Sequence, residues 1–189
     1  MADDGASGLG VPVTALSALL SDAESTVALG RLIGAALGEG DVVALVGPLG
    51  AGKTTFVQGL AKALDLPAGV PVQSPTFTVC NEYPTRVPLL HVDLYRLGGL
   101  GEAADIGLVD RLFDGQGISV VEWAALLPDL IPPTALWIRL EHEHGMRRVC
   151  VAERDGGALD WLRETPRPQG VGEWESTTGT MPWEVSSSG

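Results

Sequence analysis

The stretch DVVALVGPLGAGKTT, residues 41–55, decides the fold. Residues 42–46 are all apolar, which is typical of a strand covered on both faces of a sheet. The next segment, GPLGAGKT at residues 47–54, fits G-x-x-x-x-G-K-[ST], the phosphate-binding P-loop. Apolar residues at helical spacing over 54–64 predict a helix directly after the loop. Strand, glycine-rich loop and helix in this order predict a site for the phosphates of a nucleotide.

The residue types in this loop explain how it would hold phosphate. Gly47, Gly50 and Gly52 let the backbone turn tightly and point its N–H groups inward, and the helix start adds a positive dipole end. We expect Lys53 to contact the β and γ phosphates and the Thr54 hydroxyl to ligate magnesium, so the predicted cofactors are a nucleotide and Mg2+. The predicted cofactor-binding residues in this segment are Gly50, Ala51, Gly52, Lys53, Thr54 and Thr55.

Strand and helix signals continue on both sides of the loop. The predicted strands cover residues 11–16, 77–82, 89–93, 118–122, 135–141 and 148–152. A capping-box spacing between Ser21 and Glu24 predicts that a helix follows, and a second helix is predicted over 101–113. The turn-like segment 142–145 predicts that the last two strands pair antiparallel. This order predicts an α/β, P-loop NTPase-like three-layer domain with a mixed, mostly parallel sheet.

The composition changes at both ends of the chain. Residues 1–10 are predicted to be a flexible N-terminus, and residues 11–163 a P-loop ATPase domain. Residues 164–189 are rich in Pro, Gly, Ser, Thr and Glu, which bury too little apolar surface to offset the entropy of ordering, so we predict a disordered tail. Trp174 and Trp183 lie in that tail, either as incidental residues or as docking anchors on a partner.

The charge and the apolar runs exclude several classes of protein. A net charge of −12 argues against a broad surface for gripping nucleic-acid phosphates. The apolar runs are strand-length, short of the roughly 20 residues that cross a bilayer, and the acidic N-terminus lacks the basic start of a secretory signal. Cys80 and Cys150 form no C-x-x-C pair and suggest buried thiols of a reducing compartment. These features predict a cytoplasmic protein.

Two carboxylates lie where a P-loop protein needs one. Asp93 ends the predicted strand LLHVD and Glu122 ends ISVVE. A carboxylate at the end of a buried strand could hold magnesium or orient an attacking water. The residues themselves do not rank the two, and His91 between them would more often be structural than catalytic.

Several motifs together carry a family resemblance. The P-loop with its following Thr-Phe, then SPTFT at 74–78, NEY at 81–83, HVDLYR at 91–96 and VEW at 121–123 occur in one order and at close spacing. Over about 21–151 the chain resembles the TsaE (YjeE) family, small bacterial ATPases needed to make N6-threonylcarbamoyladenosine in tRNAs that read codons beginning with A. The resemblance implies weak ATP hydrolysis coupled to the TsaD and TsaB proteins of the threonylcarbamoyl transferase complex, with little direct binding of tRNA.

The resemblance also assigns roles to residues. It implies that Glu122 joins Thr54 at magnesium and that Asp93 serves hydrolysis, so that Lys53 and Asp93 are the predicted catalytic residues. SPTFT resembles a switch-like loop, in which Thr76 or Thr78 would sense the γ phosphate. Two further predicted nucleotide contacts are Thr26 in the first helix and Arg147, with Arg148 as its alternative. One departure is Pro48, where the family usually has aspartate, because proline removes a backbone N–H from the loop.

Three other functions could also use a P-loop. A GTPase needs a guanine-reading element such as N-K-x-D, but Asn81 is the only asparagine and is followed by Glu82. A small-molecule kinase should carry an arginine-bearing lid, and no arginine cluster follows the P-loop helix. A non-catalytic, nucleotide-gated assembly factor would use the same loops for binding rather than for turnover. The kinase and the assembly factor remain as alternatives.

Overall fold

The computed structural model describes residues 14–153 and 159–177 and places eight strands in one sheet. The strands are β1 Thr14–Leu20, β2 Val42–Val46, β3 Cys80–Tyr83, β4 Leu89–Asp93, β5 Ile118–Glu122, β6 Leu136–Glu143, β7 Met146–Glu153 and β8 Glu175–Thr177. Their order across the sheet is β3-β4-β5-β2-β6-β7-β1-β8. The four neighbours β4, β5, β2 and β6 pair in parallel, and the strands outside them pair antiparallel. The predicted mixed sheet is confirmed, with its parallel part at the centre.

Helices cover both faces of this sheet. They are α1 Ala23–Ala36, α2 Lys53–Ala63, α3 Leu100–Asp105, α4 Leu108–Phe113 and α5 Asp160–Glu164. Side chains alternate along β2, so Val43 and Leu45 pack with α1 and α2, while Ala44 packs on the opposite face with α3 and α4. Two apolar cores therefore separate three layers, as predicted. No helix among the described residues is both long and apolar enough to span a membrane.

The start of α1 differs from the predicted capping box. The helix is capped by Asp22 and not by Ser21: the Asp22 carboxylate accepts the Ser25 N–H at 2.7 Å, and the Ser25 hydroxyl accepts the Asp22 N–H at 3.1 Å. Glu24 lies in the first turn, where its charge favours the helix dipole. The predicted pairing of Ser21 with Glu24 was wrong because the adjacent aspartate caps the helix one residue later.

Two other predicted elements are shorter in the structure. The helix expected over 101–113 is broken at Gly107, which takes φ +69° and separates α3 from α4. The strand expected from Phe77 begins only at Cys80, because a turn precedes it in which the Val79 N–H donates to Pro75 O at 2.7 Å. This turn lets the SPTFT segment lie beside the end of the sheet and not within it.

The predicted disordered tail differs from the structure over residues 164–177. Strand β8 pairs with β1, Val171 forms a bridge with Leu20, and Val171 is only 8% exposed. The partly buried Trp174 packs against the core. The composition argument failed here because β1 offers free backbone groups along one edge, and a few apolar residues suffice to anchor a strand there. Residues 178–189, with Trp183, and the predicted flexible residues 1–10 lie outside the described residues.

Helices α1 and α2 approach each other through glycine. A Cβ added to Gly59 would lie 2.1 Å from Val27 O, and one added to Gly30 would lie 2.2 Å from Phe56 O. Real Cβ atoms do not approach backbone oxygen this closely, so either substitution must push the helices apart. The close contact fixes α2, and with it the P-loop, against α1.

Gly59→Ala is expected to lower the free energy of unfolding by about 3 kcal/mol, because the helix pair must separate to admit the methyl group. Gly101→Ala is the matched control: it lies in α3 with nothing within 4 Å of the added Cβ. There, alanine should raise the same free energy by about 0.5–1 kcal/mol through helix propensity. Urea unfolding of both variants measures the difference, and effects of equal sign would contradict the packing argument.

Candidate functional site

The central strands bring the candidate residues to one edge of the sheet. Strands β4, β5 and β2 run parallel, and Glu122 pairs in register with both Asp93 and Leu45. Both carboxylates therefore lie level with the end of β2, from which the P-loop departs. Asp93 and Glu122 are buried, at 2% and 3% exposure. Buried carboxylates at the carboxyl ends of parallel strands are typical of a ligand site.

The P-loop is shaped by two glycines that no other residue could replace without strain. Gly47 takes φ +145°, and an added Cβ would lie 2.1 Å from Leu140 O of β6. Gly52 takes φ +105° at the N-terminal cap of α2. Pro48 lacks an N–H, but its carbonyl accepts the Ala51 N–H at 3.2 Å and the Lys53 ammonium at 3.0 Å. Both of these hydrogen bonds use the carbonyl group, which a proline ring leaves available.

Lys53 is the buried cation of the site. It is 4% exposed, and its Nζ donates to Gly47 O at 2.8 Å and lies 3.9 Å from the centroid of the Trp123 ring. Burial lowers the pKa of Lys53 below the usual 10.5, and the carboxylates of Glu122 and Asp93 offset part of that effect. The ammonium is thus held at the loop by carbonyl groups and an aromatic face, and it forms no direct ion pair within residues 14–153 and 159–177.

A chain of hydrogen bonds joins the P-loop helix to two strands. The Thr54 hydroxyl donates to Glu122 Oε1 at 2.8 Å, and His91 Nε2 lies 2.9 Å from the same oxygen. Thr54 and Glu122 are separated by 68 residues in sequence. The structure therefore brings Glu122, and not Asp93, against the threonine of the loop.

Asp93 faces the SPTFT segment instead. Its Oδ2 accepts hydrogen bonds from the Ser74 and Thr76 hydroxyls, both at 2.8 Å, and its Oδ1 accepts the Tyr95 N–H at 2.9 Å. Thr78 turns away, because its hydroxyl donates to Asn81 Oδ1 at 3.0 Å. Of the two threonines considered from sequence, Thr76 is the one at the site.

Thr26 and Arg147 both lie next to the P-loop. A Cβ added to Gly52 would meet Arg147 Nε at 3.1 Å and Thr26 Cγ2 at 3.6 Å. Arg147 Nε also donates to Ala51 O at 3.0 Å, which ties β7 to the loop. Arg148, the alternative considered from sequence, forms an ion pair with Glu143 instead.

The remaining P-loop residues extend outward from these contacts. Thr55 lies in the first turn of α2, and Gly50 and Leu49 form the outer part of the loop, where Leu49 is 86% exposed. The predicted cofactor-binding residues of the loop therefore lie together, in the P-loop and the first turn of α2.

Sequence reasoning gave no role to Trp123, Tyr95 or Ser74. Trp123 takes φ +60°, which turns its ring over Lys53, and the Tyr95 ring packs on it with centroids 4.9 Å apart. Trp123 belongs to the motif VEW and Tyr95 to the motif HVDLYR, so the sequence shows that both residues are present. The contact between the Tyr95 and Trp123 rings could not be predicted from the sequence, because it depends on the left-handed backbone conformation of Trp123, which few non-glycine residues adopt.

The donor set near Thr54 fits a magnesium ion that is shared with phosphate. No group of three or more His, Cys, Asp or Glu among the described residues is arranged to hold a metal by protein ligands alone. Mg2+ usually takes one or two protein oxygens together with waters and substrate phosphates. The Thr54 hydroxyl and the Glu122 carboxylate supply such a partial set.

Known proteins of one family are similar to this chain over most of its length. The family model described as "Threonylcarbamoyl adenosine biosynthesis protein TsaE" matches residues 20–150. The tRNA threonylcarbamoyladenosine biosynthesis protein TsaE of Bacillus subtilis is 46% identical over 142 residues, covering 75% of this chain and 87% of that protein. The protein of the same name from Mycobacterium leprae is 42% identical over 153 residues, covering 77% and 90%.

A solved structure is similar over most of its length. The crystal structure of Bacillus subtilis YdiB aligns with a TM-score of 0.65 and 34% sequence identity, covering 81% of this chain and 94% of that one. The family model spans the P-loop, both strand-end carboxylates and Arg147. The resemblance that the motifs indicated is confirmed: the chain belongs to the TsaE family.

Proposed function

We propose that this chain binds ATP with Mg2+ and hydrolyses it slowly, and that this cycle supports formation of N6-threonylcarbamoyladenosine in tRNA together with TsaD and TsaB. The observation that carries the proposal is the contact between Thr54 Oγ1 and Glu122 Oε1 at the mouth of a P-loop. A P-loop threonine that donates its proton to a strand-end carboxylate keeps an oxygen lone pair for a metal. The names of the relatives supply the link to tRNA modification.

In this proposal each buried group has a separate task. Backbone N–H groups of the P-loop, with the exception of Pro48, would hold the phosphates, and the Lys53 ammonium would move from the loop carbonyls to the β and γ oxygens. Thr54 and Glu122 would hold Mg2+, which when bound neutralises charge on the β and γ phosphate oxygens. Asp93 would accept a hydrogen bond from the attacking water and orient it.

The nucleotide is proposed to be ATP because no guanine reader is visible. Asn81, the only asparagine of the chain, accepts a hydrogen bond from Thr78 and lies in β3. Thr26 and Arg147 beside Gly52 are the proposed further nucleotide contacts. Thr26 lies at the first turn of α1, and Arg147 brings a positive charge to the loop.

Two features support dependence on partners. The large apolar side chains of Leu49 and Phe77 lie on the P-loop and the SPTFT segment and are 86% and 83% exposed. Exposed apolar groups beside a nucleotide site are suited to a protein contact that senses the nucleotide. The net charge of −12 disfavours direct binding of tRNA, so the partner proteins would bind the tRNA.

A second candidate, a nucleotide-gated assembly factor, is favoured by one observation. The Ser74 and Thr76 hydroxyls occupy Asp93 Oδ2, so the loop and the proposed water-orienting carboxylate are engaged with each other. A γ phosphate that drew the loop away would change both together. In that case the bound state, and not turnover, would be the signal to the partners.

Reconstituted tRNA threonylcarbamoylation separates the two candidates. Purified TsaD and TsaB, tRNA and a preformed threonylcarbamoyl donor are combined with or without this chain, with ATP or a non-hydrolysable analogue. We expect repeated modification cycles with ATP and at most one cycle with the analogue, because hydrolysis resets the complex. Equal stimulation by the analogue would favour the assembly factor, and no stimulation in either case would refute both.

A further inference from the structure

Buried His91 is the one member of the Thr54–Glu122 chain that has no task in the proposed function. Its side chain is fully buried in β4, between Asn81 of β3 and Val120 of β5 in register. Its Nε2 lies 2.9 Å from Glu122 Oε1, while its Nδ1 is buried and has no hydrogen-bond partner among the described residues.

This arrangement is poor for a histidine that serves only to fill the core. A buried ring nitrogen without a partner loses its hydrogen bonds to water and gains nothing in return, so an apolar side chain would suit the position better. Unlike an apolar side chain, the imidazole can donate a hydrogen bond from Nε2–H to the Glu122 carboxylate. The contact with Glu122 is therefore the feature that accounts for histidine at this position.

The same contact limits how Glu122 can turn. A glutamate has three side-chain torsions, and one hydrogen bond from Thr54 would still let its carboxylate rotate. Two donors from different elements, Thr54 of α2 and His91 of β4, meet at the same oxygen, Oε1. The two hydrogen bonds hold Oε1 between α2 and β4, and because donors prefer the plane of an sp2 oxygen, they restrict rotation of the carboxylate and therefore the direction of its second oxygen.

We propose that His91 is a positioning residue: as the Nε2–H tautomer it holds the Glu122 carboxylate in the orientation that serves the magnesium of the bound nucleotide. This inference rests on the proposed function, because it concerns the metal of that site. Groups that orient a metal-binding carboxylate typically change metal affinity or activity by about 10- to 100-fold when removed.

The test measures nucleotide affinity as a function of Mg2+, using a fluorescent ATP analogue. For His91→Leu we expect the Mg2+ concentration at half-saturation to rise about 10-fold or more, with the affinity in excess EDTA unchanged within about two-fold. His91→Gln, which can place an N–H near the position of Nε2, should restore most of the loss. Leu89→Ala is the control, because Leu89 lies on the same strand and in the same core but two residues from the contact.

The possible outcomes distinguish a failure of the role of His91 from a failure of the proposed function. A wild-type chain without Mg2+-dependent ATP binding would refute the proposed function. If the wild type binds normally, an unchanged His91→Leu, an equal loss in Leu89→Ala, or a parallel loss of affinity in EDTA would refute the role of His91. The nitrogen NMR spectrum of the wild-type histidines is a test that needs no variant to fold: we expect the proton of His91 on Nε2, and a proton on Nδ1 alone would overturn the proposal.

Discussion

Lys53→Met is expected to weaken ATP binding about 100-fold while the melting temperature stays the same or rises. A charge-assisted hydrogen bond contributes about 3 kcal/mol at most, which corresponds to that loss of affinity. Methionine keeps the apolar stem of the side chain and removes an ammonium that is 4% exposed and forms no direct ion pair with another described residue. Because burying a cation costs free energy, the fold should not need it.

Titration calorimetry with ATP and thermal unfolding check the two halves of this prediction. Lys62→Met is the matched control, since Lys62 is the only other lysine and lies exposed in the last turn of α2. It should change ATP affinity by less than about two-fold. A clear fall in the melting temperature of Lys53→Met would show that the ammonium stabilises the fold through Gly47 and Pro48, contrary to the argument from burial.

The pH dependence follows from the same lysine. Burial lowers the pKa of Lys53 below 10.5, so the folded state disfavours the charged form. As the pH rises through the lowered pKa of Lys53 in the folded state, the free energy of unfolding of the wild type should rise relative to that of Lys53→Met. The rise should be complete above the pKa that Lys53 has in the unfolded state, about 10.5. The affinity for phosphate should change in the opposite direction with pH. It should fall as the pH rises through the lowered pKa of Lys53, before pH 10.5 is reached, because the ammonium loses its charge.

Asp93→Asn is expected to reduce ATP hydrolysis about 1,000-fold and to change ATP affinity by less than about three-fold. In the variant an amide nitrogen, which cannot accept a hydrogen bond, replaces one carboxylate oxygen, so the attacking water loses an acceptor that orients it. A side chain in such a role typically contributes about 100- to 10,000-fold in rate. The fold should tolerate the change. The Tyr95 N–H can only donate, so the amide oxygen must face it, and the Ser74 and Thr76 hydroxyls can then accept from the amide nitrogen.

The Mg2+ dependence of Asp93→Asn distinguishes two roles of Asp93. An unchanged Mg2+ requirement with lost turnover supports the water-orienting role. A Mg2+ requirement raised about 10-fold would instead place Asp93 in the outer coordination shell of the metal. Asp110→Asn, on the surface of α4, is the control and should leave both quantities unchanged. Hydrolysis by Asp93→Asn at the wild-type rate would remove Asp93 from the mechanism.

Much of the fold could be predicted because the signals were local. Apolar runs placed β2, β4 and β5 within a residue of their observed bounds, and the P-loop pattern placed the start of α2. The errors had three causes. Gly107 broke the predicted helix by adopting a positive φ, and Asp22 capped α1 in place of Ser21. At residues 164–177 an available sheet edge ordered a polar segment.

The sequence by itself determined the P-loop, the expected tasks of Lys53 and Thr54, and the position of two carboxylates at strand ends, because each depends on residue types within one short segment. Only the tertiary structure decided that Glu122 meets Thr54, that Asp93 meets Ser74 and Thr76, and that Arg147 rather than Arg148 reaches the loop. Strand order and register set those pairings. They arise from contacts between segments far apart in the chain, which no local pattern encodes.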